Sequence, residues 1–126
     1  MPDLDFNRPD LARAVEKLTP NELDQLPFGV IKLDADGVAK VFNKTEAQMS
    51  GFKSRPALGL DFFLNVAPCM GKPEFRGRIE QARRNGIVDI ELGWVGDFDD
   101  INREMQVRIQ SSCDNGTWIF IYRDME

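Results

Sequence analysis

Cys69 has a side chain that can do chemistry, a thiol, but stands without the usual partners of cysteine chemistry. It lies in "VAPCMGKPEF", running from Val66 to Phe75, with Pro68 before it and Pro73 shortly after. The chain has one other cysteine, Cys113, and no histidine among its 126 residues. The absence of histidine excludes Ser-His-Asp and Cys-His nucleophile pairs. Two cysteines also fall short of the usual four ligands of a zinc site. A thiol enzyme would have to draw its base from Lys or a carboxylate. On the residues alone Cys69 reads as an inert buried thiol, the default for such a site. Cys113 stands at a strand end beside a turn and is assigned no role.

Glu46 also stands at a position with chemical meaning. Asn43-Lys44-Thr45-Glu46 has the spacing of a capping box, in which the Glu side chain reaches back to the cap. A capping or solvated carboxylate is the reading its local sequence supports.

The totals describe the setting. The net charge is −5, the isoelectric point about 4.8, and the composition 42% hydrophobic and 29% charged. A chain of this length buries roughly 65–70% of its unfolded surface, enough for one core without disulfides or metal. One domain over residues 1–126 is expected, with 1–27 an N-terminal cap and 28–126 the core. The acidic surface disfavours a phosphate backbone, so no nucleic-acid partner is expected. No run approaches the ~20 apolar residues of a membrane helix. The N-terminal "MPDLDFNRPD" lacks the features of a signal peptide. A soluble cytoplasmic protein with reduced cysteines is the expectation.

The elements follow from local signals. Asn7 and Pro9 open a short helix with Leu11, Val15 and Leu18 on one face. Thr19-Pro20-Asn21-Glu22 is a second start signal, a capping box with Pro at the first helical position. "FGVIKLDADGVAKVFN" reads as a hairpin around Asp34-Ala35-Asp36-Gly37. Asn43 then begins a helix that Gly51 ends, and "KSRPALGL" is a helical turn. Pro73 starts a longer helix, with Phe75, Ile79 and Ala82 on one face and Gly86 beyond its end. Three strands follow. "VDIELGWV" alternates with Val88, Ile90, Leu92 and Trp94 on one face. "EMQVRIQ" is expected to bury Met105, Val107 and Ile109 and to expose Glu104, Gln106, Arg108 and Gln110. Asp114-Asn115-Gly116 makes a tight turn into "TWIFIYR". Strands at both ends of the chain with short helices between them give an α+β fold: a five-stranded antiparallel sheet with one face covered by the middle helices.

That order resembles the PAS domain. The run from Phe28 to Phe63, with its Asp-x-x-Gly turn, Asn-led helix and Gly before a Phe pair, looks like a PAS opening. "LPFGVIKLDADG", the Asn43-x-x-Glu46 step, "GLDFFLNVAPC" and "KPEFRGRIEQARRNG" together resemble the photoactive yellow protein family over nearly the whole chain. In that family this cysteine holds p-coumaric acid (4-hydroxycinnamic acid) as a thioester, so the resemblance implies that Cys69 is the attachment site. It also implies that Glu46 points inward as a neutral acid. There it would donate a hydrogen bond to the chromophore phenolate and pass on its proton after trans–cis isomerisation. Burial and the phenolate charge both favour the neutral carboxyl. Loss of the proton would leave a buried carboxylate that favours partial unfolding as the signal.

Three residues depart from the family pattern. Phe42 stands where a Tyr donor is usual, Ser50 where Thr is frequent, and Phe52 where an Arg closes the pocket. The expected function is a blue-light photoreceptor, not an enzyme, acting on an unidentified downstream signalling protein as a monomer or weak dimer. The alternative is a chromophore-free PAS interaction or dimerisation module, with Phe42 and Phe52 filling the polar end of the pocket.

Overall fold

The computed structural model describes residues 5–6, 11–49, 73–84, 89–95, 104–112 and 116–123. The start signal at Asn7 and Pro9, the segment 50–72, Gly86, the loop 96–103 and Cys113 to Asn115 lie outside these residues. So do Val88 and the side chains of Phe75, Leu92 and Trp94.

Two short helices come first, α1 (Leu11–Val15) and α2 (Pro20–Asp24). The box at Thr19 is complete. Its side chain accepts from the Glu22 N–H at 3.3 Å, and the Glu22 carboxylate accepts from the Thr19 N–H at 3.0 Å. Next are β1 (Gly29–Leu33), β2 (Ala39–Phe42) and α3 (Lys44–Met49), then α4 (Pro73–Arg84). The chain closes with β3 (Asp89–Val95), β4 (Glu104–Ser111) and β5 (Thr117–Arg123). All neighbouring strands are antiparallel, in the order β2-β1-β5-β4-β3. The first and last strands, β1 and β5, therefore pair next to one another within the sheet.

The hairpin turn is built by Asp34 and Gly37. Gly37 has φ 84°, a conformation that side chains other than glycine rarely adopt. Asp34 Oδ1 accepts from the N–H of Asp36 at 2.9 Å and of Val38 at 3.0 Å. The Val38 hydrogen bond is the main reason that its carboxyl sits below the usual Asp range; burial opposes it, and Asp36 and Lys40 add smaller help. A carboxyl whose pKa is lowered on folding stabilises the fold above its unfolded pKa. That contribution fades as the pH falls through the folded value. Asp34→Asn keeps an acceptor oxygen and removes the titration. A series of urea midpoints between neutral and acid pH is expected to fall less steeply for the variant. Parallel curves would show that the turn plays no part in acid lability.

The sheet has apolar packing on both faces. On the inner face Ile31, Leu33, Ile119, Ile121, Val107 and Ile109 join Ile79 of α4 in one cluster, with Phe42 and Ala82 against it. On the outer face Val30, Trp118 and Phe120 pack with Phe6, Leu11, Val15, Leu23 and Leu26. Alternation along β1 and β5 sends neighbouring residues to opposite layers. Rings fill the outer layer: Phe28 meets Phe6 edge-on at 5.4 Å, and Trp118 stacks on Phe120 at 6.0 Å.

This second layer corrects the reading of β4. Met105, Val107 and Ile109 are buried and Glu104 and Gln106 exposed, as alternation requires. Arg108 and Gln110, expected in solvent, are only 5% and 7% exposed. The N-terminal cap covers them, and its backbone gives them partners. Arg108 donates to the Phe6 carbonyl at 2.6 Å, and Gln110 accepts from the Ala12 N–H at 2.8 Å. Arg13 also donates to the Ser111 carbonyl, and Trp118 Nε1 donates to the Glu16 carboxylate at 2.9 Å. Polar residues of the sheet thus tie down the cap, instead of meeting water.

Candidate functional site

The junction of β2 and α3 is held by one side chain. Asn43 is buried, and its N–H still pairs with the Val30 carbonyl at 3.0 Å, one residue past the end of β2. Its Oδ1 accepts from the Glu46 N–H at 3.0 Å, the cap expected of it, and also from the Val30 N–H at 3.0 Å. Its Nδ2 donates to the Leu23 carbonyl at 2.8 Å and the Phe28 carbonyl at 3.2 Å. One amide therefore connects α3, β1 and the segment after the cap helices. Two neighbours reinforce the start of α3. The Lys44 N–H donates to Asp24 Oδ1 at 2.7 Å, and Thr45 Oγ1 donates to the Leu26 carbonyl at 2.6 Å.

Glu46 is 2% exposed and is among the largest fully buried side chains. The solvated reading therefore does not hold. The reciprocal half of a capping box would need the Asn43 N–H, which is engaged with Val30. The carboxyl lies instead against Gly29. A Cβ added at Gly29 would overlap Glu46 Oε1 and stand 3.0 Å from its Cδ. Glycine within a strand marks a close approach of another group, and here the group is a buried acid. The sequence contained that signal in Phe28-Gly29-Val30, a glycine opening a β-branched run.

Phe42 is half-buried, pairs in register with Ile31 and packs on the inner cluster. Ile31 and Gly29 share a face of β1, so Phe42 and Glu46 meet the same inner layer. Cys69, Ser50 and Phe52 lie outside the described residues. Among the described residues no group of three or more His, Cys, Asp or Glu is placed to hold a metal ion. Among them, too, no helix is long and apolar enough to cross a membrane.

Known proteins give this arrangement a context. No protein-family model matches the chain. The photoactive yellow protein of Halochromatium salexigens is 30% identical over 119 residues, which span 94% of this chain and 95% of that protein. The chain belongs to the photoactive yellow protein family. The crystal structure of the photoactive yellow protein domain of the sensor histidine kinase Ppr from Rhodospirillum centenum superposes with a TM-score of 0.75. It is 31% identical and covers 86% of this chain and 96% of that domain. A PAS domain from Colwellia psychrerythraea, 12% identical, shows the fold alone, with a TM-score of 0.62 over 91% of this chain and 98% of its own. The five-stranded antiparallel sheet with short helices is thus the PAS fold of a photoreceptor and sensor family. Within the photoactive yellow protein family, this chain presents a buried carboxyl at Glu46 and a phenyl ring, with no donor, at Phe42.

Proposed function

We propose that this chain is a blue-light photoreceptor that binds p-coumaric acid through a thioester at Cys69 and signals by partial unfolding. The observation that carries the reading is the Glu46 carboxyl. It is buried against Gly29 on the inner face of a PAS sheet, in a member of the photoactive yellow protein family. A carboxyl in such a setting is favoured in its neutral, hydrogen-bond-donating form. That is the form a buried phenolate needs from its surroundings. The Glu46 carboxyl therefore fits the phenolic end of the chromophore.

Attachment requires an activated acyl donor, such as a coenzyme A ester. The Cys69 sulfur bonds to the acyl carbon, the bond to the donor's own sulfur breaks, and that sulfur leaves with the thiol proton. When bound, the chromophore supplies light-driven trans–cis isomerisation. Cys69 anchors one end, and Pro68 and Pro73 stiffen the anchor. Glu46 donates a hydrogen bond at the phenolic end and then gives up its proton. The carboxylate so formed is costly in an apolar layer, and the structure loosens to solvate it. Ser50, Phe42 and Phe52 line the same end. The output passes to a downstream signalling protein, a role that the kinase context of the Rhodospirillum centenum domain supports. The receptor works in the cytoplasm, as a monomer or weak dimer, without catalysing a reaction.

The test is reconstitution. Purified protein mixed with an activated p-coumaroyl ester is expected to gain the mass of the acyl group, mapped to the Cys69 peptide, together with a near-ultraviolet or visible band that bleaches in light. An unmodified Cys69 would overturn the reading in favour of a chromophore-free interaction module. Steady release of free acid would indicate a thiol enzyme instead.

A further inference from the structure

The inner face of β1 lacks a side chain at one place. Val30 belongs to the outer layer and Ile31 and Leu33 to the inner. Alternation therefore assigns Gly29 to the inner row, opposite Ile121 of β5 in register. The Glu46 carboxyl fills that gap. Backbone conformation does not demand glycine there, since Gly37 is the one described glycine with positive φ. Space demands it. A Cβ at position 29 would overlap Glu46 Oε1 and lie 3.0 Å from Cδ and 3.1 Å from Cβ of the same residue. At Gly93, by contrast, an added Cβ would meet nothing within 4 Å.

We propose that Gly29 is the positioning residue for the Glu46 carboxyl, its missing side chain reserving the slot from which the acid faces the inner layer. The functional part of this inference rests on the reading of Glu46 as proton donor. Its geometric part does not. A methyl group at position 29 forces something to move, and the surroundings decide what. The first turn of α3 is pinned by Asn43, by Asp24 on the Lys44 N–H and by Thr45 on the Leu26 carbonyl. The carboxyl sits at the end of rotatable bonds. It gives way before the helix does, and the acid leaves its slot while the fold persists.

The experiment compares Gly29→Ala with the control Gly93→Ala, each made in the native chain and in a Glu46→Ala background. Without the overlap, alanine at a compatible backbone position is neutral or stabilising, because it restricts the unfolded chain. Gly29→Ala is therefore expected to lower the Tm when Glu46 is present and to leave it unchanged or raise it when Glu46 is alanine. In the unloaded protein the 13C carboxyl resonance of Glu46, assigned through Glu46→Gln, is expected to move in Gly29→Ala and to stay in Gly93→Ala. In protein reconstituted with p-coumaroyl ester the chromophore band should shift with the same pattern. A Tm loss that is equal in both backgrounds, or an unmoved Glu46 resonance, overturns the proposal. If Gly29→Ala alone fails to fold, the double variant decides: recovery by Glu46→Ala supports the overlap, and continued failure overturns it. If no variant takes up chromophore, the photoreceptor reading falls, while the resonance and the Tm sign still test the slot.

Discussion

Truncating Asn43 to alanine is expected to destabilise the fold by about 3–5 kcal/mol, the upper range for single substitutions. The reason is what the change strands. The N–H groups of Val30 and Glu46 and the carbonyls of Leu23 and Phe28 each lose a partner supplied by one amide. A buried polar group left unsatisfied costs about 1–3 kcal/mol, and local relaxation recovers part of the sum. For a domain of this size the expected fall in Tm is on the order of 10 °C or more. Asn43→Ser restores one cap oxygen near the Glu46 N–H and nothing that reaches Leu23 or Phe28. It is expected to recover about 1 kcal/mol, the usual contribution of a cap. Thermal melts and urea titrations followed by circular dichroism check both values. Full recovery by serine would mean that the bonds to Leu23 and Phe28 contribute little, and Asn43 would be a helix cap with no wider role.

The features legible in the sequence are those whose chemistry is local. Thr19, Pro20 and Glu22 announce a helix start, and Asp34 with Gly37 announces a turn, because all the partners lie within a few residues. Asn43 was readable as a cap for the same reason. Its bonds to Leu23 and Phe28 were not, since backbone groups far along the chain leave no mark on residue type. Alternation in β4 correctly sorted Met105, Val107 and Ile109 to one face. It says which residues share a face, not whether the other face meets water, so alternation alone leaves Arg108 and Gln110 in solvent, where the structure buries them. The cover comes from Phe6 and Ala12, near the opposite end of the chain. Glu46 shows the same limit more sharply. Its spacing from Asn43 supports a capping box, and only a likeness to a known family turned it inward. The structural reason is Gly29 together with the pairing of the Asn43 N–H to Val30, both products of how β1 and β2 register. Cys69, Ser50 and Phe52 are known through sequence alone.

Phe42→Tyr is expected to lower the chromophore pKa in the reconstituted protein, shifting its protonation equilibrium roughly ten- to hundredfold toward the phenolate. The argument begins with what the native residue withholds. Phe42 is half-buried on the inner layer beside Ile31, and a phenyl ring has no hydrogen to donate. By sequence, Phe52 removes a cation from the same end of the proposed pocket. A phenolate with fewer donors and no positive charge is costly to bury. The native chromophore pKa is therefore expected to be raised, with a protonated, blue-shifted form beside the anion near neutral pH. The sign follows directly: acidification deepens the short-wavelength band, and alkali converts it to the long-wavelength one. A tyrosine hydroxyl returns one hydrogen bond to the charged form, about 1.5–3 kcal/mol when the acceptor is ionised. One unit of pKa corresponds to about 1.4 kcal/mol, which gives the stated range. The remaining native phenolate should also absorb to the red of the variant's. Fewer hydrogen bonds leave its ground state less stabilised relative to an excited state in which charge has moved off the phenolic oxygen. Absorbance titrations of both proteins measure the two effects together. A native spectrum with one anionic band, unchanged down to acid pH, would show that another donor has taken the place of the missing phenol. Ser50, which carries a hydroxyl at the same end of the proposed pocket, is the first residue to replace with alanine in that event.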